Sequence, residues 1–161
     1  MSQVKQILQP IYDENSMILI LGTFPSVESR EAQFYYSNPR NRFWKVISEV
    51  FKYNECSTII DKKNMLINNK IALWDVIESC EITGSSDSSI KNVVPADLAT
   101  ILNSANIERI YANGDKSFKL YMKYTYPMTK REIIKLPSTS PANAKFTLDK
   151  LIDCWKCIKC K

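Results

Sequence analysis

The chain has 161 residues, 45% of them hydrophobic and 24% charged, which suits one globular domain with its own core and excludes a disordered or low-complexity protein. A formal net charge of +5 favours a polyanionic partner without requiring one. The sequence contains no histidine, which excludes Ser-His-Asp and Cys-His triads and removes the commonest zinc ligand.

The N-terminal residues lack the basic-then-apolar order of a secretory signal, and the longest apolar run, MILILG at 17–22, is too short to cross a bilayer. We therefore expect an intracellular, cytoplasmic protein that makes no use of a membrane. In that compartment the five cysteines are expected to be reduced thiols and not disulfides.

Short β-rich runs alternate with stretches of helical periodicity along the chain. The runs predict strands at residues 17–22, 71–76, 109–114 and 132–137, and the periodicity predicts helices within residues 41–51, 95–105, 115–124 and 146–158. Pro95 is suited to the first turn of the second helix. This alternation predicts an α/β three-layer sandwich with a central, mainly parallel four-stranded sheet flanked by helices. With no repeat or linker, residues 1–161 should form a single domain.

Three polar, proline-bearing or serine-rich segments follow the ends of the first, second and fourth strands, at residues 22–41, 78–92 and 136–145. Because ligands collect beyond the carboxyl ends of parallel strands, we expect these segments to form one site. The first contains YYSNPRNRFW at 35–44, which combines four aromatic rings with two arginines. Guanidinium groups bind phosphate and rings can pack against a base, whereas Phe43 and Trp44 fit the helix core better.

Five motifs of the chain resemble those of a known family. They are LGTFPS (21–26), YYSNPRNRFWKVI (35–47), ALWDVI (72–77), GSSDSSIKNVVPADL (84–98) and LPSTSPANA (136–144). In content and order they resemble the uracil-DNA glycosylase superfamily, most closely its hypoxanthine DNA glycosylase branch, and NPRNRFWKVI is also similar to the mismatch-specific uracil glycosylases.

The resemblance implies a monofunctional DNA glycosylase of base-excision repair with a uracil-DNA glycosylase-like fold. Such an enzyme hydrolyses the N-glycosidic bond of a deaminated base, hypoxanthine first and uracil second, and leaves an abasic site. Its partner would be DNA containing deaminated bases. We expect a monomer by default, with no cofactor and no metal.

Two positions depart from the superfamily pattern. Phe24 stands where most members carry the aspartate or asparagine that positions the attacking water, and in the hypoxanthine branch this role is assigned to the asparagine that corresponds to Asn41. Its carbonyl oxygen would hold a water beside the sugar carbon, although Asn41 could equally cap the following helix. Asn38 stands where the family often has histidine.

The flipped base requires a pocket for a flat ring. Phe24 would be its floor, and Gly22 would let backbone N–H groups approach the base edge. Asp75 would accept a hydrogen bond from the ring N–H that hypoxanthine and uracil share, and Asn113 is a second candidate reader. As alternatives, Phe24 can close the core and the two polar residues can stabilise turns. The expected base-binding residues are Gly22, Thr23, Phe24, Tyr36, Asp75 and Asn113.

Hydroxyl and guanidinium groups near these motifs are candidates for phosphate contacts. The alternatives are a solvated turn at 84–92 and an N-cap cluster for the last helix, with Asn143 at its start. The expected DNA-binding residues are Ser26, Arg40, Arg42, Ser88, Ser89, Lys91, Ser138, Thr139, Ser140 and Asn143.

Cys154, Cys157 and Cys160 have the spacing of a metal site, with Cys56 or Cys80 as a fourth ligand, but they lie on an amphipathic helix and we expect no metal there. Two other functions stay open. A non-catalytic module that binds damaged DNA would explain Phe24 and the missing histidine, and a hydrolase of free nucleosides could use the same edge of the sheet.

Overall fold

The computed structural model describes residues 3–53 and 57–159. In chain order the strands are β1 (Gln3–Lys5), β2 (Ile18–Gly22), β3 (Ile71–Asp75), β4 (Ile77–Glu81), β5 (Lys91–Pro95), β6 (Arg109–Asn113) and β7 (Ile134–Leu136). The helices are α1 (Val27–Ala32), α2 (Phe43–Val50), α3 (Ile59–Asn68), α4 (Ala99–Ser104), α5 (Asp115–Leu120), α6 (Tyr126–Thr129) and α7 (Leu148–Trp155). A π-turn at Tyr121–Thr125 joins α5 to α6, and 3-10 turns occupy Asp87–Ser89 and Lys156–Lys159.

The central sheet is four-stranded and parallel, with the order β3-β2-β6-β7, which confirms the predicted fold class and its four strands. Strand β2 lies between two parallel neighbours and is buried along its whole length. Ile18 and Ile20 enter the core on one face of the sheet, and Leu19 and Leu21 enter the core on the other. A strand that is covered on both faces reads as a continuous apolar run, which explains why this one was visible in the sequence.

Helices cover both faces of the sheet. Helices α2, α3 and α7 contribute Phe43, Met65 and Trp155 to one core, whereas α4 and α5 contribute Ile101 and Leu120 to the other. The predicted helices at 41–51, 115–124 and 146–158 are confirmed. Helix α3 was not predicted, because its sequence IIDKKNMLIN buries only Met65 and Leu66. Its start is fixed instead by a capping box between Thr58 and Asp61.

A second sheet, antiparallel with the order β1-β4-β5, was not predicted. Strand β4 follows β3 after one residue, so the polar segment expected at 78–92 is a hairpin whose turn lies between the two strands. Both strands carry several polar residues, which hides them from an apolar pattern. Pro95 pairs with Ile77 at the end of β5 and does not begin a helix; α4 starts at Ala99, whose N–H donates to Asp97 Oδ1.

Within residues 3–53 and 57–159, no helix has the length and apolar character needed to span a bilayer. Trp155 fixes the last helix to the strand ends. Its ring is fully buried, packs edge-on against Phe43 with centroids 5.9 Å apart, and its Nε1–H donates to Pro137 O at 2.9 Å. This contact links α7, α2 and the loop that follows β7.

Replacing Trp155 with Phe should lower the free energy of unfolding by about 1–3 kcal/mol, because the Pro137 carbonyl loses its buried donor. Urea denaturation measures the effect, with Lys156→Ala at the adjacent exposed position as the control. A Trp155→Phe midpoint equal to that of the control would contradict the role given to this hydrogen bond.

Candidate active site

A cavity of about 660 Å³ opens at the carboxyl ends of the parallel strands. Its wall is formed by the loops after β2 and β7, the ends of β3 and β6, and the turn between β4 and β5. Every residue expected to bind the base, together with Asn41, lines it: Gly22, Thr23, Phe24, Tyr36, Asp75 and Asn113. Of the expected DNA contacts, the cavity wall includes Ser26, Arg40, Ser88, Ser138, Thr139 and Ser140.

The side-chain carbonyl of Asn41 is held by two donors. Its Oδ1 accepts from Phe43 N and from Thr139 Oγ1, each at 2.9 Å. Because a backbone N–H can only donate, the contact with Phe43 fixes which end of the amide is oxygen. The capping alternative is thus partly realised: Asn41 satisfies the first N–H of α2, although Arg42 occupies the N-cap position itself.

The amide nitrogen of Asn41 is left accessible. Thr125 Oγ1 is the one buried side-chain nitrogen or oxygen of the described residues that lacks a hydrogen-bond partner. Asn41 Nδ2 has no protein acceptor among those residues and is not buried, so it is accessible, and Asn41 is one of the residues that line the cavity. We expected the carbonyl to be the group that meets a water. The structure instead presents the N–H donor.

Asn113 and Thr139 form a closed hydrogen-bonded unit. Asn113 Nδ2 donates to Thr139 Oγ1 at 3.0 Å and to Tyr36 Oη at 3.2 Å, and its Oδ1 accepts from Thr139 N at 3.0 Å. Thr139 is fully buried, and its hydroxyl donates a hydrogen bond to Asn41 Oδ1. Both amide hydrogens of Asn113 are therefore committed to protein, and so is the Thr139 hydroxyl. The Thr139 hydroxyl therefore positions Asn41 and has no hydrogen left for a phosphate, whereas Asn113 keeps one lone pair on Oδ1 with which a base N–H can pair.

Asp75 places a buried carboxyl in the cavity wall, with 4% of the residue exposed. Its Oδ2 accepts from Gln6 Nε2 at 2.9 Å. A Cβ built on Gly22 would lie 2.5 Å from Asp75 Oδ1 and 2.7 Å from Tyr36 Oη, so only glycine leaves room for the two groups to converge. Burial raises the pKa of Asp75 to about 7, and the Gln6 hydrogen bond opposes that rise.

Three aromatic residues, Phe24, Tyr35 and Tyr36, contribute to the cavity wall. Phe24 belongs to the core beneath the sheet and also lines the cavity, so its place in the core leaves it available as the expected floor for a base. Tyr36 stacks on Phe43 with centroids 4.1 Å apart and has a left-handed backbone with φ of 52°. Burial raises the pKa of Tyr36, which keeps its hydroxyl protonated and able to donate. A non-glycine residue held at positive φ beside a cavity is typical of a functional site.

Arg42 has a different role from the phosphate contact that we expected. Its guanidinium donates to the backbone carbonyls of Ser140, Asn143, Phe146 and Thr139. These bonds hold the loop between β7 and α7 in place, so we remove Arg42 from the candidate DNA contacts. Arg40 is exposed and lines the cavity, which leaves it available to a phosphate.

The loop after β7 is shaped by its own hydroxyl groups. Ser138 Oγ accepts from Ser140 N, and Ser140 Oγ accepts from Ala142 N, each at 3.1 Å. Asn143 Nδ2 donates to Ser138 O and lies outside the cavity wall. The helix expected to begin at Asn143 begins after Thr147, whose hydroxyl accepts from Lys150 N. Asn143 therefore fixes the loop and does not cap α7.

The turn between β4 and β5 forms the opposite side of the cavity. Ser85 Oγ accepts from Val27 N at 2.9 Å and anchors the turn to α1. Ser89 Oγ donates to Ser86 O, and neither Ser89 nor Lys91 lines the cavity, so a contact of either residue with DNA would lie outside it. Sequence reasoning missed Asp87, which lines the cavity and whose pKa is raised by burial.

The cysteines of the C-terminal motif are only partly described. Cys154 and Cys157 are exposed, Cys80 is buried, and Cys56 and Cys160 lie outside the described residues. No cluster of His, Cys, Asp and Glu side chains able to hold a metal occurs within residues 3–53 and 57–159.

Comparisons with known proteins identify the family. Residues 9–159 match the family model described as uracil DNA glycosylase superfamily. A Methanosarcina acetivorans protein named hypoxanthine DNA glycosylase is 35% identical over 146 residues, which is 89% of this chain and 91% of that protein. Its Methanosarcina barkeri namesake is 32% identical over 115 residues, covering 70% and 73% of the two chains.

A solution NMR structure of a candidate uracil DNA glycosylase from Methanosarcina acetivorans superposes with a TM-score of 0.81 at 32% identity, and 96% of each chain is covered. Its likeness extends to the whole three-layer architecture described above. The chain therefore belongs to the uracil DNA glycosylase superfamily.

Proposed function

We propose that the protein is a monofunctional DNA repair glycosylase that releases hypoxanthine, and secondarily uracil, from DNA and leaves an abasic site. One observation carries this proposal: the accessible amide of Asn41 and the buried carboxyl of Asp75 line one cavity, in a chain whose relatives are named hypoxanthine DNA glycosylase. We also infer that it acts as a monomer on chromosomal DNA inside the cell.

The cavity suits an everted base. A base inside a duplex is out of reach, so the nucleotide must leave the stack at a cost of a few kcal/mol. A cavity of about 660 Å³ admits a purine, and the rings of Phe24 and Tyr36 lie in its wall. Asp75 provides an acceptor for the ring N–H that hypoxanthine and uracil share. These contacts compensate for the stacking that the base gives up.

Bond cleavage then separates charge between the sugar and the base. Fixed dipoles lower that barrier without any strong acid or base. Asn41 Nδ2–H can hold a water through one lone pair, and the second lone pair of that water stays free to attack the sugar carbon. Because Phe43 N–H and Thr139 Oγ1–H fix the Asn41 carbonyl, the donor does not need to reorganise during the reaction.

The duplex would bind around the mouth of the cavity. Arg40 is the exposed cation of its wall, and the hydroxyls of Ser26, Ser88, Ser138 and Ser140 lie beside it. Among the described residues that line the cavity, none is a lysine, so no amine is placed for Schiff-base attack. Hydrolysis should therefore leave the sugar-phosphate strand intact.

A second function is favoured by one contact. The carbonyl of Asn41, the acceptor that would support a developing sugar cation, is occupied by protein donors. A module that binds damaged DNA without turnover would have this geometry.

End-labelled duplexes that carry one deoxyinosine or deoxyuridine separate the two functions. A glycosylase should give an alkali-sensitive strand at the lesion, no cleavage before alkali, and no protein–DNA adduct with borohydride. Selective binding to the lesion duplex without alkali-sensitive sites, at stoichiometric protein, would instead establish the binding module. Free inosine is the control substrate, and release of base from it would indicate a nucleoside hydrolase.

Asn41→Ala should lower the single-turnover rate on deoxyinosine by roughly 10²–10³-fold with little change in duplex affinity, because a positioned donor is lost. Asn41→Asp keeps the acceptor for Phe43 N–H and replaces the NH₂ group by oxygen. If the donor is the working group, Asn41→Asp should lose as much rate as Asn41→Ala while retaining more stability. A rate in Asn41→Asp equal to that of the natural protein would return the role to the carbonyl oxygen.

The two neighbouring arginines should behave differently. Arg40→Met should weaken duplex binding and reduce the slope of log affinity against log salt by about 0.7–0.9, as one phosphate contact does, with no change in stability. Arg42→Met should lower the free energy of unfolding by roughly 1.5–3 kcal/mol, because several carbonyls lose a charged donor. Binding isotherms at several salt concentrations and urea denaturation measure both. The same salt slope and stability in the two variants would contradict the assignment.

A further inference from the structure

Gln6 contacts the cavity carboxyl from outside the cavity. It follows β1, and its backbone N–H donates to Glu78 O at 2.6 Å, which continues the pairing of β1 with β4. Its side-chain Nε2 donates to Asp75 Oδ2 at 2.9 Å. Sixty-nine residues of sequence separate these two partners. No sequence motif includes Gln6, and it does not line the cavity itself.

The amide of Gln6 has one allowed orientation. Its Oε1 accepts from Leu8 N at 2.9 Å, and a backbone N–H can only donate. The Nε2 group must therefore face Asp75, so it always offers the carboxyl a donor. One carboxyl oxygen is committed to Gln6, and the other, Oδ1, lies beside Gly22 in the cavity wall.

We propose that Gln6 is a positioning residue for base selectivity: by donating to Oδ2 of Asp75, it favours the ionised carboxyl and turns it so that Oδ1 accepts a hydrogen bond from the base. This inference rests on the proposed function. Asp75 is the group that touches the base, and Gln6 acts through it.

The chemistry of the purine edge explains what such an acceptor selects. Hypoxanthine carries a proton on N1, whereas N1 of adenine carries a lone pair. An ionised carboxylate accepts from the first and repels the second, and a buried polar group left unpaired costs about 1–3 kcal/mol. A protonated carboxylic acid would donate instead and could pair with adenine. The charge on Asp75 therefore separates the deaminated base from its normal parent.

Without Gln6, the surroundings of Asp75 favour the neutral acid. Burial raises the pKa of Asp75 to about 7, the negative charge of Asp87 adds to that rise, and the Gln6 hydrogen bond lowers it. The other ionisable groups that face it are the hydroxyls of Tyr35 and Tyr36, whose pKa values are raised, so they stay neutral. Within residues 3–53 and 57–159 no ion pair involves Asp75. Gln6 is thus the donor that opposes protonation.

The experiment measures single-turnover release of hypoxanthine and of adenine between pH 5.5 and 9. In the natural protein, hypoxanthine release should fall tenfold per pH unit below a midpoint near 7, where Asp75 takes up a proton. Gln6→Met should move this midpoint upward by about one pH unit or more and lower the hypoxanthine-to-adenine ratio at least tenfold at pH 7.5. Asp75→Asn should lose the pH dependence and most of the ratio.

Gln3→Leu is the matched control. Gln3 lies on β1 and donates to Ser79 Oγ and Asn92 O, away from the cavity, so its loss perturbs the same strand without touching Asp75. The midpoint and the ratio should be unchanged in this variant. A carboxyl ¹³C titration of Asp75, assigned with Asp75→Asn, gives the same midpoint without using activity.

Unchanged midpoints in folded Gln6→Met, by activity and by ¹³C, would overturn the inference while the proposed function stands. If Gln6→Met does not fold, an Asp75→Asn protein that keeps the hypoxanthine-to-adenine ratio of the natural protein would equally overturn the inference. If the natural protein releases no hypoxanthine at any pH, the proposed function fails and the inference fails with it; a ¹³C midpoint near 7 would then show that the carboxyl alone behaves as described.

Discussion

The hydrogen-bonded pair of Asn113 and Thr139 is the interaction on which the site depends. Asn113 ends β6, and Thr139 belongs to the loop after β7; each donates to the other. Through the Thr139 hydroxyl the pair reaches Asn41 at the start of α2, and through the Asn113 amide it reaches Tyr36. Three segments distant in the sequence thus share one network with a buried centre. Because none of these residues has a buried side-chain nitrogen or oxygen without a partner, the network rigidifies the cavity and adds no unpaired polar group to the core.

A site without imidazole has to rely on groups that are already in place. Amides and hydroxyls take up no proton near neutrality, so their contribution comes from orientation, and orientation comes from the network. Tyr36 shows a local cost of this arrangement. Its backbone is held at φ of 52°, a conformation that is unfavourable for a bulky residue. Its ring nevertheless stacks on Phe43, and its hydroxyl accepts a hydrogen bond from the Asn113 amide. The surrounding contacts compensate for the strain.

The sequence predicted what local patterns encode. Strand β2 is a continuous apolar run, and Gly22, Asp75 and Asn113 could be placed at the cavity because each ends a strand of one parallel sheet. The sequence could not predict which side chains are already hydrogen-bonded to other parts of the protein and are therefore not free to bind DNA. Arg42 resembles Arg40 in the printed sequence, and only the fold shows its bonds to carbonyls about a hundred residues away. The small antiparallel sheet was missed because its strands are polar and half-exposed.

That small sheet nevertheless positions Gln6, the residue that we propose acts in base selectivity. Pairing of β1 with β4 sets the position of the Gln6 backbone, and β4 follows Asp75 after one residue, so both partners of the Gln6–Asp75 bond are fixed by neighbouring strands. The parallel sheet alone would leave the Asp75 carboxyl buried without a donor, a state in which the neutral acid is favoured. The antiparallel sheet supplies the donor that offsets this preference. In this chain the central sheet forms the cavity, and the second sheet positions the donor to the carboxyl that we propose reads the base.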